Sequence, residues 1–151
     1  MQISVQEADF DSAAEALALT SGRNDIGAVV TFEGRVRADN GLTALRLEHY
    51  PGMTEAEIAR HVDAAQARWP LLGVRIIHRI GRLGPGARIV LVITAAAHRR
   101  GAFEAADFLM DYLKTRAPFW KQEQYGDDAR WVDAKLSDLD TARRWQKPGQ
   151  S

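Results

Sequence analysis

The sequence predicts an α+β domain with a mixed or antiparallel sheet and helices packed on it. Three observations carry that expectation. Segments of strand and helix periodicity follow one another as β-α-β-β-α-β-β-α, then a tail. No repeat, low-complexity tract or linker divides them, so residues 1–146 read as a single domain and 147–151 as a frayed tail. Finally, a chain of 151 residues, 46% hydrophobic and 26% charged, has the size and composition of one ordinary globular core.

Residues 2–6 form a short strand pattern, and a helix from about 11 to 19 follows, stopped by Gly22. In Gly27-Ala-Val-Val-Thr-Phe-Glu-Gly-Arg-Val-Arg37, Ala28, Val30 and Phe32 alternate with Val29, Thr31 and Glu33. This predicts a strand buried largely on both faces. Gly34 permits a turn or bulge, after which Arg35 and Arg37 leave on the same side of an extended chain. Asp39-Asn-Gly41 signals a turn, and Leu45, Leu47 and His49 begin the next strand, which Pro51-Gly52 breaks. Thr54-Glu-Ala-Glu57 has the form of a capping box, with Ile58, Val62, Ala65 and Trp69 at helical spacing behind it and Pro70 closing the helix. Val74, Ile76, His78 and Ile80 alternate as a third strand, and Leu83-Gly-Pro-Gly86 reads as a turn. Arg88-Ile-Val-Leu-Val-Ile-Thr94 is apolar enough for a central strand buried on both faces. Ala95-Ala-Ala-His-Arg-Arg-Gly101 leads into a helix with Ala102, Ala106, Leu109 and Leu113 on one stripe. Beyond it, Gly126-Asp-Asp128 turns into Arg130-Trp-Val132, and Ser137-Asp-Leu-Asp140 caps a short helix ending near Trp145.

Composition excludes several classes of function. Twenty basic and twenty acidic side chains cancel, so no global field draws the chain to nucleic acid or membrane, and any anion site is local. The chain has no cysteine, which rules out disulfides, thiolate metal sites, iron–sulfur clusters and a cysteine nucleophile or persulfide carrier. The four histidines, His49, His61, His78 and His98, show no zinc-like spacing, so neither a metal site nor a cofactor is expected. No apolar run approaches a membrane span and no signal pattern opens the chain, which gives a cytoplasmic expectation.

Chemistry concentrates in Asp111-Tyr-Leu-Lys-Thr-Arg-Ala-Pro-Phe-Trp-Lys-Gln-Glu123. Pro118 lacks an N–H and pushes Ala117 out of the α region, so the helix ends near Arg116. That leaves Lys114 in a last helical turn and Lys121 on an extended segment, with Phe119 and Trp120 between them as apolar anchors. An ordinary lysine is nearly all ammonium at neutral pH. Desolvation or neighbouring cations free some amine, and the protonated form binds an oxyanion or gives a proton to a leaving group. Glu123 can orient Lys121 or accept its proton. The plainer alternative is that Lys114 and Arg116 complement the helix dipole and Lys121 is a solvated charge.

Two further basic groups stand out. His98 and Arg99 lie where a central strand meets a helix N-terminus, a setting that favours phosphate; the plainer alternative is that His98 caps the helix and Arg99 and Arg100 are exposed. Arg35 and Arg37 offer two more guanidiniums, or else protect a solvated edge. His49 and His78 read as core or sheet-face residues, Met110 as packing, and Glu104, Asp107 and Asp111 as a solvated helix face.

Together with Leu47-Glu-His-Tyr-Pro-Gly-Met-Thr-Glu55, Ile77-His-Arg-Ile-Gly81, Ala97-His-Arg99 and Ala102-Phe-Glu-Ala105, the 27–37 segment and Met110-Asp-Tyr-Leu-Lys-Thr-Arg-Ala-Pro-Phe-Trp-Lys121 resemble the large, catalytic subunits of molybdopterin synthases. The resemblance spans residues 27–145. It implies an α/β-hammerhead fold and a sulfurtransferase of molybdenum cofactor biosynthesis. Such an enzyme adds two sulfurs to cyclic pyranopterin monophosphate (precursor Z), making the dithiolene of molybdopterin. The sulfur arrives as a C-terminal thiocarboxylate on a small ubiquitin-like partner, which agrees with a chain that holds no cysteine of its own. The implied assembly is a heterotetramer around a homodimer of large subunits.

The resemblance also implies a substrate pocket of Arg35, Val36, Arg37, His98, Arg99, Lys114, Lys121, Gln122 and Glu123. In it Arg37, His98 and Arg99 hold phosphate and pterin. Lys114 meets the partner's thiocarboxylate, and Lys121 serves proton transfer or the charge of the opening cyclic phosphate. Gln122 stands where such subunits carry arginine and Arg100 where a small polar residue is usual, and the loop 38–42 is short. Lys135 is the candidate to complete a neighbouring subunit's pocket. Read without the resemblance, the same cations also suit a non-catalytic phosphate-ester or pterin-binding module, or a structural dimer that docks a ubiquitin-like tail.

Overall fold

The computed structural model describes residues 2–132 and 143–145. Eleven strands and helices run in the order β1 (Ile3–Gln6), α1 (Ser12–Thr20), β2 (Ala28–Arg35), β3 (Ala44–His49), α2 (Met53–Arg68), β4 (Leu71–Arg79), β5 (Gly81–Leu83), β6 (Arg88–Ala96), α3 (Arg99–Thr115), β7 (Phe119–Tyr125) and β8 (Asp128–Val132). They build two four-stranded sheets, β1-β4-β6-β2 and β5-β3-β7-β8. The first is mixed, since β1 pairs with β4 in parallel while β4–β6 and β6–β2 are antiparallel. The second is antiparallel throughout. This is the expected α+β domain, with its strands divided between two sheets.

Helices cover both faces of the first sheet. On one face, Ile58, Val62 and Ala65 of α2 and Ala106, Phe108, Leu109 and Leu113 of α3 pack with Val74, Ile76, Val90 and Val92. Against the other face, Ala16 and Leu19 of α1 cover Phe10, Ile77, Leu91 and Ile93. That is why β6 is buried from Val90 to Ala96, as its apolar run predicts. A third, smaller core of Val36, Leu42, Leu45, Leu47 and Leu83 joins the two sheets to the 36–42 connection.

Several expectations change. The strand after Gly27 is not buried on both faces: β2 is an edge strand, and Val29 and Phe32 are 42% and 39% exposed. Apolar alternation cannot distinguish a central strand from an edge strand. Leu83 does not open a turn but ends β5, paired to β3 opposite Leu45. The extended segment after Pro118 and the 130–132 segment pair across the 126–128 turn as the β7–β8 hairpin, two strands that the β-α-β-β-α-β-β-α order leaves out. The Thr54–Glu57 capping box is displaced: α2 is capped at Gly52, whose N–H donates to Glu55 Oε2 (3.2 Å), leaving Thr54 inside the first turn and fully buried. Gly52 holds φ +84°, a conformation that favours glycine and lets the helix start directly after Pro51. Nor are the α3 carboxylates a uniform solvated face. Glu104 accepts from Trp69 Nε1 (2.8 Å), and Asp111 accepts from Arg144 (3.0 Å) and from the Trp145 ring N–H. The expected cap at Ser137–Asp140, Lys135 and the tail at 147–151 lie outside the described residues.

Candidate functional site

The α3–β7 corner sits where the sequence places it. The helix ends at Thr115, and the N–H groups of Arg116 and Ala117 both return to the Tyr112 carbonyl (2.9 and 3.1 Å). Pro118 cannot continue the ladder, and β7 begins at Phe119. Lys114 is therefore exposed in the last turn of α3, near the negative end of the helix dipole. Among the described residues no carboxylate forms an ion pair with it. Lys121 is half-buried on β7, opposite Leu47 of β3 and Val132 of β8. Strand alternation puts Phe119, Lys121 and Glu123 on one face and Trp120 and Gln122 on the other. Gln122 thus lies away from Lys121, beside Gln124, whose side-chain amide donates to it (3.4 Å).

Both anchors of the corner are aromatic pairs, one stacked and one tilted. The Phe119 ring lies on His78 (centroids 3.9 Å apart, planes within 20°), and Trp120 meets Tyr50 at 4.1 Å. His78 is buried, its Nδ1–H donates to the Arg79 carbonyl (2.9 Å), and burial pushes its pKa down to about 4, so the ring is neutral at pH 7. Next to it His49 Nε2 stands 3.8 Å from Glu55 Oε1. The reading of His78 as a core residue holds, but its ring also forms the floor under the corner.

The arginines after β2 have different fates. The ladder bulges between Gly34 and Arg35. Arg35 turns back to Glu33, while Arg37 turns forward to Asp39 (3.0 Å), so the two guanidiniums do not converge on one anion. Hydrogen bonds from Ser12 and Arg35 hold the Glu33 carboxyl below the usual carboxylate range. Val36 between them is buried, with its N–H donating to the Ala87 carbonyl (2.9 Å) and its own carbonyl accepting from Gly86 (2.8 Å). Its side chain packs into the small core with Leu42, Leu45, Leu47 and Leu83 rather than facing a ligand.

His98 and Arg99 occupy the opposite end of α3. His98 is the N-cap residue by backbone conformation, yet its side chain makes no capping bond. With Gly27, Ala97, Arg100, Phe103 and Glu104 the pair lines an open pocket of about 690 Å³. Gly27 is needed there: a Cβ would stand 2.1 Å from the Ala97 carbonyl oxygen. At 1.5 Å rise per residue, Arg99 and Lys114 are roughly 22 Å apart along the helix. The β2–β6 register, Ala28 to Ala96 and Arg35 to Arg88, sets Arg35 at the far end of the sheet too. One chain thus gathers Lys114, Lys121, Glu123 and Arg37 towards one end, with His98 and Arg99 at the other. No group of three or more His, Asp or Glu among the described residues is placed to hold a metal. No described helix is long and apolar enough to cross a membrane.

Sequence reasoning missed Thr54, Glu55 and the ring of His78 as supports of the corner. Thr54 and His78 carry no local signal, because Thr54 donates to the Pro118 carbonyl 64 residues away and His78 stacks on Phe119 of β7, whereas Glu55 meets Gly52 only three residues back, inside the segment whose spacing suggests a cap.

Known proteins share this fold. The MoaE protein family profile matches residues 5–116. The molybdopterin synthase catalytic subunit of Mesorhizobium japonicum is 56% identical over 98% of this chain and 95% of its own. Among solved structures, the molybdopterin biosynthesis MoaE protein from Burkholderia ambifaria superposes with a TM-score of 0.83 at 48% identity, over 95% of this chain and 97% of that one. Molybdopterin synthase from Staphylococcus aureus gives 0.80 at 28% identity, over 87% and 97%.

Proposed function

The chain belongs to the MoaE protein family, and from that premise we propose that it is the catalytic subunit of a molybdopterin synthase. The reaction is transfer of two sulfurs from the C-terminal thiocarboxylate of a small ubiquitin-like subunit to precursor Z, giving the dithiolene of molybdopterin. The observation that carries this reading is the α3–β7 corner. It sets Lys114 in an exposed last helical turn and Lys121 half-buried on the strand that follows, with Pro118 between them.

The roles follow from those positions. Lys114, accessible and unpaired among the described residues, meets the inserted thiocarboxylate tail. Its ammonium donates to the carbonyl oxygen and offsets the charge that develops there. Lys121, closer to the protein body, serves proton transfer or the charge released as the cyclic phosphate opens. Glu123, on the same face, orients it. Arg37, once drawn from Asp39, holds phosphate with His98 and Arg99.

A homodimer of large subunits resolves the distance between the two cationic groups. Half of the site comes from the corner of one copy, and the His98–Arg99 end from the other. The exposed apolar edge of β2, with Val29 and Phe32, supports such pairing. With a small subunit on each copy, the assembly is a heterotetramer in the cytoplasm.

The experiment is conversion of precursor Z in the presence of the small subunit, in thiocarboxylate or plain carboxylate form, read by mass. Two added sulfurs with the thiocarboxylate alone are expected. Tight binding of precursor Z without any mass change would leave only a pterin-binding module.

A further inference from the structure

We propose that Thr54 is a positioning residue for Lys121, acting through the Pro118 carbonyl; this rests on the assignment of Lys121 to the reaction made above. Thr54 has no role in capping α2, because Gly52 and Glu55 perform that function. Its side chain is fully buried and its hydroxyl is used twice: it accepts from the Tyr50 N–H (3.0 Å) and donates to the Pro118 carbonyl (3.0 Å). One oxygen therefore ties together the end of β3, the first turn of α2 and the corner after α3. A hydroxyl has a single proton to give, so no other acceptor competes for it while Pro118 is in place.

The location of that bond gives it leverage. Pro118 is the last residue before β7, and its carbonyl fixes the peptide plane from which Phe119 departs. Phe119 is then seated on the His78 ring, and Lys121 follows two residues later on the same face. The β7–β3 register, Phe119 to His49 and Lys121 to Leu47, continues from this start. A slip of one residue would move Lys121 to the outer face with Trp120 and Gln122. A smaller rotation of the Pro118–Phe119 peptide would leave the strand paired but swing the Lys121 ammonium, a displacement that transition-state contacts tolerate poorly. Fold and catalysis are thus separable at this position.

The test uses the assembled enzyme with thiocarboxylated small subunit and precursor Z. Thr54→Val keeps the shape and removes the hydroxyl, Thr54→Ala removes both, and Thr54→Ser keeps the hydroxyl. The comparison is made in whichever of the first two keeps the wild-type near-ultraviolet circular dichroism. The expected result is a fall in kcat of about tenfold with KM little changed. The NMR signal of the Lys121 ε-methylene, assigned by its loss in Lys121→Arg, should shift as well. Thr54→Ser should restore both. Unchanged kcat with an unshifted Lys121 signal would overturn the proposal, as would a Thr54→Ser protein no better than Thr54→Val. Lys121→Ala separates the two layers of the argument. If it is inactive, a shifted signal with normal kcat also overturns the positioning role. If it turns over normally, the assignment of Lys121 to the reaction falls, while the shift still upholds the clamp on β7.

Discussion

His78 shows how one buried residue couples the corner to pH. Its folded pKa is depressed to about 4 from 6.5, chiefly by burial. Between those values the unfolded chain binds the proton and the folded one does not, so stability is complete above about 6.5 and is lost as pH falls towards 4. The contribution reaches at most about 1.4 kcal/mol per pH unit. Urea unfolding at pH 7 and pH 5 should therefore show a smaller pH effect in His78→Phe, which keeps a ring against Phe119, than in the wild type. Equal effects in the two proteins would show that His78 titrates normally. At this scale the sequence was informative about charge and poor about contact. The placement of Lys114, Lys121, His98 and Arg99 on the fold is legible, because Pro118 ends α3 between the two lysines and the β6–α3 junction needs no distant partner to be noticed. Thr54 is not, because a threonine in front of an apolar helical stripe looks like a cap, and its bond to Pro118 spans 64 positions.

Among the elements, α3 organises the rest. Its stripe of Ala102, Ala106, Leu109 and Leu113 is buried as the spacing predicts, and Leu109 is wholly inaccessible. Leu109→Ala leaves a cavity between α3 and the first sheet and should cost about 2–5 kcal/mol in urea unfolding. A loss below about 1 kcal/mol would show that the helix packs less tightly than its burial indicates. Elements whose cover is contained in the chain, α3 and β6 above all, can be read from periodicity. Those whose environment depends on topology cannot. The alternation of β2 looks the same whether its neighbour is another strand or solvent, and three-residue β5 is too short to show a period.

At the scale of the whole molecule, the cationic groups proposed for the reaction lie at opposite ends of α3. A helix of 17 residues separates the His98–Arg99 pocket from Lys114, and nothing in the fold bends the two ends together. If two copies share each site, mixing Lys114→Ala with His98→Ala subunits should rescue turnover. Random pairing leaves one intact site in each mixed dimer, so roughly a quarter of wild-type activity should return, since half the molecules pair unlike and each keeps one of two sites. No recovery after subunit exchange, confirmed by mass, would mean that each chain builds its site alone. The expected homodimer also accounts for an apolar edge strand that would otherwise invite aggregation.

The measurement that tests the central claim most directly is a single-turnover reaction of Lys114→Ala with precursor Z and thiocarboxylated small subunit, followed by product mass. If the corner carries the chemistry, the folded variant binds both partners and yields no product with two added sulfurs on the timescale of the wild type. Wild-type conversion by folded Lys114→Ala would contradict the account and move the reaction away from the end of α3.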